Sequence, residues 1–335
     1  MYRVNFIALL FWVTTAECQS FSFTEMVNLT NYNTSKFNNY VSKRGFKPQE
    51  QEDNFTKYIF LDNKETTAEK CITKYNSTNP YIVSFDRLTA AEYADLKQKI
   101  NAEGFTEGVL KGAEDTVLYQ KNNITIYAVN ERNENYYNLT VENKSLPKAK
   151  DIRYAEDLLA LNAHEHIAAV YGTANVVKDV FITPDGKERN CSVLFPNSSR
   201  EVVFIWSDEA NYRNTQLIRI GGNAHTKSAQ NYERPVMQNY WLSNQGIYIG
   251  MSLKELDKLN GNEIDFYGWD WNSGGTLASN NNGNLDFKKI SLLLSCFNCS
   301  DGRYKRNKIN SSTVALEEDR KIHVTTMVIL PSNGE

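Results

Sequence analysis

Apolar positions along this chain recur in two periods. Short helical stretches with a spacing of three or four alternate with runs of β-type residues. The helical stretches each end at a glycine: Gly45, Gly104, Gly172 and Gly261. In the first, Phe37, Tyr40 and Val41 trace one face up to Gly45-Phe46. In the second, Thr89-Ala90-Ala91-Glu92 has the form of a capping box, and Tyr93, Leu96 and Ile100 share a face up to Gly104-Phe105. Glycine at C′ followed by phenylalanine at C″ predicts a Schellman stop, with the ring set on Val41 or Ile100 at C3. Strands are predicted at Thr56–Leu61, Cys71–Tyr75 and Tyr81–Phe85, then at Thr116–Gln120, Ile124–Val129 and Tyr136–Val141.

After Leu146-Pro147-Lys148-Ala149-Lys150, which reads as a linker, the pattern resumes. Ala155–Tyr171 reads as helix with a break near Asn162. Strands follow at Val176–Ile182, Cys191–Phe195, Val202–Trp206 and Leu217–Ile220. A second capping box, Ser252-Leu253-Lys254-Glu255, opens a helix whose Leu253, Leu256 and Leu259 are expected on one side. Strands are expected near Ile264–Trp269, Gly275–Ser279, Lys289–Ser295 and His323–Leu330, with Ser300–Asn310 as a polar loop. The fold class expected is α+β, with short helices packed on small antiparallel sheets in two tandem pairs of units. The N-terminal domain is expected over 19–147, with a duplication of 35–85 and 89–145. The C-terminal domain is expected over 151–330, built from 155–222 and 246–330.

Residues 1–18 read as a secretory signal: Arg3, then an apolar run from Phe6 to Val13, then Thr14-Thr15-Ala16. The run is too short to span a bilayer. Glu17 before Cys18 argues against a lipid anchor. The expected location is secreted or periplasmic, with no transmembrane segment in the mature chain. A net charge of -3 favours no nucleic acid partner. The patch Arg303-Tyr304-Lys305-Arg306 reads as a solvated turn. Export makes disulfides permissible. The four remaining cysteines, Cys71, Cys191, Cys296 and Cys299, allow three pairings. Cys296-Phe297-Asn298-Cys299 reads as a local disulfide or two free thiols, because no second pair completes a zinc site. The Asn-x-Ser/Thr sequons read as a consequence of Asn-rich composition.

The segment Gly250-Met251-Ser252-Leu253-Lys254-Glu255-Leu256, continued by Leu259-Asn260-Gly261, resembles the β-lactamase-inhibitor-protein-like and outer-membrane assembly lipoprotein modules. That resemblance implies a short helix on a small antiparallel sheet. The stretch from Tyr154 to Leu330 also resembles uncharacterised secreted proteins of Gram-negative bacteria. The features that carry this are His164 and His166 before Tyr171-Gly172, Val193-Leu194-Phe195-Pro196, Val203-Phe204-Ile205-Trp206 and Gly268-Trp269-Asp270-Trp271. The Asn-rich link before the third strand departs from the inhibitor-like pattern, so no partner contact is carried over by residue.

No nucleophile elbow, P-loop or dinucleotide fingerprint occurs in the sequence, and no cofactor is expected. His164-Glu165-His166 places two imidazoles about 200° apart on a helix, the wrong geometry for gripping one metal ion. The strongest binding candidate is Phe266-Tyr267-Gly268-Trp269-Asp270-Trp271. On a strand, Tyr267, Trp269 and Trp271 would share a face, with Trp241 as a neighbour. Indoles and phenols beside Asp and Asn suit a sugar ring or a protein hot spot. The function expected is therefore an exported, non-enzymatic binding protein with a protein partner or glycan as ligand. The alternative is a carbohydrate-binding or carbohydrate-hydrolysing secreted protein.

Overall fold

Strands dominate this mixed α and β protein: two large antiparallel sheets, of eight and six strands, a small third one, and few helices. The computed structural model describes residues 20–60, 70–183, 185–222, 226, 239–279, 281–299 and 302–331. The leader expected over 1–18 lies outside the described residues. The chain divides into two units. One takes the residues up to Thr106 with Asp115–Tyr119 and Ile124–Asn143, and the other takes the rest.

The N-terminal part opens with α1 (Phe23–Thr30) and α2 (Thr34–Lys43). These lead into β1 (Lys47–Gln51), β2 (Phe55–Phe60), β3 (Lys70–Tyr75) and β4 (Tyr81–Thr89). Then come α3 (Ala90–Ala102), β5 (Thr106–Leu110), β6 (Ala113–Lys121), β7 (Ile124–Glu131) and β8 (Tyr136–Asn143). The sheet order is β1-β2-β3-β4-β8-β7-β6-β5, so two four-stranded runs join through β4 and β8. Both predicted helix stops form. Phe46 N–H donates to Val41 O at 3.1 Å and Gly45 N–H to Ser42 O at 3.0 Å. Phe105 N–H donates to Ile100 O at 3.4 Å and Gly104 N–H to Asn101 O at 2.9 Å. Gly45 and Gly104 sit at φ +87° and +80°, where a side chain is strained. The core between helices and sheet gathers Phe37, Val41, Ile100, Tyr119, Ile126 and Leu139.

Two strands go beyond the sequence reading. β1 is exposed at every position and β5 at most of them. They are the outermost strands of the sheet, held by ladder bonds rather than by a buried face, so no apolar alternation marks them.

The C-terminal part contains α4 (His164–Tyr171), β9 (Val176–Ile182), β10 (Glu188–Leu194), β11 (Val202–Asp208) and β12 (Arg213–Gly221). It continues through α5 (Leu253–Asn260), β13 (Asp265–Tyr267), β14 (Ile290–Cys296) and α6 (Arg303–Arg306). It closes with β15 (Ile309–Ser311), α7 (Ser312–Glu317) and β16 (Ile322–Ile329). Six of these strands make one sheet in the order β14-β16-β12-β11-β10-β9, while β13 pairs with β15 apart from it. Alternation on β10 and β11 divides the core. Leu194, Phe204 and Trp206 belong to the large cluster, and Cys191, Val193, Val203 and Ile205 to a small one.

The break expected near Asn162 is real: a 3-10 turn over Ala155–Ala160 precedes α4. Two expectations change. Leu259 is exposed, and Asn260 takes the buried place beside Leu253 and Leu256. Six residues advance a helix by 600°, which turns Leu259 about 120° away from Leu253, whereas seven bring Asn260 back to the same side. The Asn260 carboxamide then donates to Asn262 O at 3.0 Å and Asn282 O at 2.8 Å. Second, the expected loop Ser300–Asn310 contains α6 and part of β15, anchored by the buried ring of Tyr304.

Candidate functional site

The corner around β13 is built by glycine. β13 ends at Tyr267, and the chain turns through 268–275. Gly275 N–H donates back to Tyr267 O at 2.9 Å, and Tyr267 N–H to Thr276 O at 2.9 Å. Ala278 N–H donates to Asp265 O at 2.8 Å, so the segment expected as the strand Gly275–Ser279 lies along β13 but keeps only a short ladder. The expectation that Tyr267, Trp269 and Trp271 share one strand face is corrected here. The strand stops before the tryptophans, because Trp271 N–H bonds Gly268 O at 3.1 Å and Gly274 N–H bonds Trp271 O at 2.7 Å, closing the turn.

Each residue singled out in the sequence has a distinct setting. Trp269 is half-buried. Its Nε1–H donates to Leu294 O at 2.9 Å, and its ring packs against the buried Phe266 at 5.7 Å between centroids. Trp271 is 46% exposed, yet its Nε1–H donates to Arg306 O at 2.9 Å. Tyr267 is half-buried on β13. Trp241 does not belong to this surface: it is 1% exposed, and its Nε1–H donates to Arg200 O at 3.0 Å. An indole with no accessible face offers nothing to a partner, so its place as a neighbour of the site is corrected to the core. Cys296 and Cys299 form a disulfide, while Cys71 and Cys191 are buried.

The structure adds a partner to the tryptophans that the sequence reading set aside. The carbonyls of α6 and the residues after it point at the turn. Lys305 O accepts from Asp270 N–H at 3.1 Å, Arg306 O from the Trp271 indole, and Lys308 O from Gly268 N–H at 3.3 Å. A helix leaves its last carbonyls without internal partners, and the turn supplies them. Tyr304 holds the helix from the inside. It is 1% exposed and donates its hydroxyl proton to Glu318 Oε2 at 2.7 Å; Glu318 also pairs with Arg303 and with Arg320 at 3.2 Å. Lys305, Arg306 and Lys308 stay exposed, and none has a carboxylate partner among the described residues. The result is one exposed, hydrogen-bonded indole, with three exposed cations on the backbone segment that bonds it and the single carboxylate of Asp270 on the turn.

Two other places were weighed. His164 Nδ1 lies 2.9 Å from Ser192 Oγ, a distance that suits a nucleophile and its base. Ser192, however, is fully buried and accepts the Trp206 indole proton at 3.1 Å. Its oxygen is thus bonded to both Trp206 and His164, and at 0% exposure no substrate atom can reach it. His166 is buried on α4 with Nδ1 unbonded. Burial pushes both imidazoles down, His164 to about 4 with help from the Lys178 charge, and His166 to about 3 with help from Lys144 and Arg213. Among the described residues no group of three or more His, Cys, Asp or Glu side chains gathers to hold a metal.

The second place is a groove of about 940 Å³ in the N-terminal unit, with Phe21, Leu88 and Leu96 among its lining residues. Most charges around it are already matched, Arg44 to Glu25, Lys70 to Glu92 and Lys99 to Asp95, with Lys43 the exception on its wall. Its walls therefore present little unspent charge to a ligand. Set beside known families, curated proteins and solved structures, the chain matches none.

Proposed function

We propose that this chain is an exported, non-enzymatic binding protein of the cell envelope or exterior, and that it meets its ligand at the Trp271 corner. The observation that carries the reading is the state of Trp271: nearly half exposed, yet fixed by a backbone hydrogen bond. Ordering a free side chain on binding costs about 0.5–1.5 kcal/mol. An indole already held in place avoids much of that cost and keeps its apolar face open. The alternative, a carbohydrate-binding or carbohydrate-hydrolysing protein, draws support from the same indole. The buried Ser192 weakens its hydrolytic form.

We read the N-terminal part as a duplication of 35–85 and 89–145. Support comes from its matched halves: in each, a helix with the same glycine-phenylalanine stop leads into four strands. The C-terminal pair, 155–222 and 246–330, is proposed on its two helices ended by Gly172 and Gly261. In that pair the strands pool into a single sheet.

The test compares the protein with Trp271→Ala on a panel of immobilised glycans and envelope proteins. Binding is expected to fall at least about tenfold, which is about 1.4 kcal/mol. Stability is expected to stay within about 1 kcal/mol, the value of the one hydrogen bond lost. A folded variant that binds like the parent would reject this surface, and turnover of any panel glycan would reject the non-enzymatic reading.

A further inference from the structure

The three exposed cations on the segment that bonds Trp271 define what the corner selects. We propose that the ligand is an anionic polysaccharide, a chain of uronate or sulfated sugars, stacked on Trp271 with its acidic groups neutralised by Lys305, Arg306 and Lys308. This rests on the reading of the corner as the binding surface and deepens it to a ligand class.

The chemistry follows from what each group offers. A pyranose ring presents a flat C–H face that matches the open face of an indole. A uronate or sulfate on the same or the next ring then needs a nearby cation, and three lie on the backbone segment that bonds the indole. These cations are exposed and lack carboxylate partners among the described residues. An anion binding there displaces no existing ion pair. Arg303 differs, because Glu318 already holds it.

Other occupants fit less well. A stable protein interface covers about 800 Å² on each side around an apolar centre. Among the described residues of β13, its turn and the segment 302–311, the large exposed apolar side chains are Trp271 and Ile309. Single-stranded nucleic acid is gripped by a long basic groove with several stacking rings. Here one ring is open and the basic stretch is short. A chain that carries both a flat ring face and acidic groups suits one open indole beside a short basic segment.

Calorimetry and affinity electrophoresis would test this with the full chain, using polygalacturonate, a sulfated galactan, neutral dextran, a poly-glutamate peptide and a single-stranded oligonucleotide as probes. The expected result is binding to one or both acidic polysaccharides that weakens steeply as salt rises from about 0.05 M to about 0.5 M. Trp271→Ala and the triple change Lys305→Gln, Arg306→Gln and Lys308→Gln should each reduce it about tenfold or more. Thermal unfolding confirms that both variants are folded. Trp271-dependent binding to dextran alone, insensitive to salt, would overturn the anionic inference and leave the corner standing. Tighter binding of the peptide or the oligonucleotide would likewise overturn it. Acidic-polysaccharide binding that survives both variants, or no binding of any probe, would overturn the inference together with the corner.

Discussion

Gly268→Ala lowers the stability of the C-terminal unit by about 3 kcal/mol, the upper range for forcing an added carbon into a packed site. A methyl group at this position would collide with Asn307 O and stand 2.7 Å from Lys305 O and 2.8 Å from Tyr304 O. All three are backbone atoms, so relief requires the whole segment after Arg303 to move. That segment carries the carbonyl that fixes Trp271 and the three exposed cations. Stability and ligand contact are therefore expected to fail together. Gly104→Ala is the comparison. A methyl group there meets nothing within 4 Å, and the cost is only that of φ +80°, about 1 kcal/mol. Urea unfolding of both variants measures the contrast. Equal losses at the two sites would mean that the close approach at Gly268 carries no special cost.

The second large effect is in acid. The C-terminal unit loses about 2 kcal/mol per buried histidine as pH falls from 6.5 to 5, less for the half-buried His164. In the native state both imidazoles are neutral, with folded values near 4 and 3. The unfolded chain takes up protons below about pH 6.5, while the folded chain does not. Stability is therefore full above that value and falls through the window, levelling once the folded groups protonate. Protonation would also make His164 Nδ1 the donor in its bond with Ser192 Oγ. His166→Leu removes one of the two protons and should roughly halve the slope of stability against pH. A variant with an unchanged slope would show that His166 does not carry the effect.

What the sequence reveals depends on burial. Helix stops and caps were legible because one residue type does each job: glycine at positive φ, and Ser or Thr three places before Glu. Core strands such as β10, β11 and β16 were legible through their dense β-branched and aromatic content. The exposed edges β1 and β5 carry no such pattern. The binding corner was half legible. Gly268-Trp269-Asp270-Trp271 stood out by composition, but its turn is fixed by bonds to residues more than thirty places later. Arg303-Tyr304-Lys305-Arg306 read as a solvated turn because only the fold sinks Tyr304 into the core. Trp241 read as a surface residue for the mirror reason: a lone indole in a polar stretch gives no sign that it will be covered. The disulfide between Cys296 and Cys299 was one of two readings left open, since close spacing permits the bond without requiring it.

The most direct test is a nitrogen-resolved NMR titration of the backbone and indole N–H groups with an acidic polysaccharide. Trp271 should shift first and most, Trp269 less, and the buried Trp206 and Trp241 should stay in place. Shifts that spare Trp271 and gather elsewhere, for instance around the Glu25 and Arg44 groove, would contradict the account.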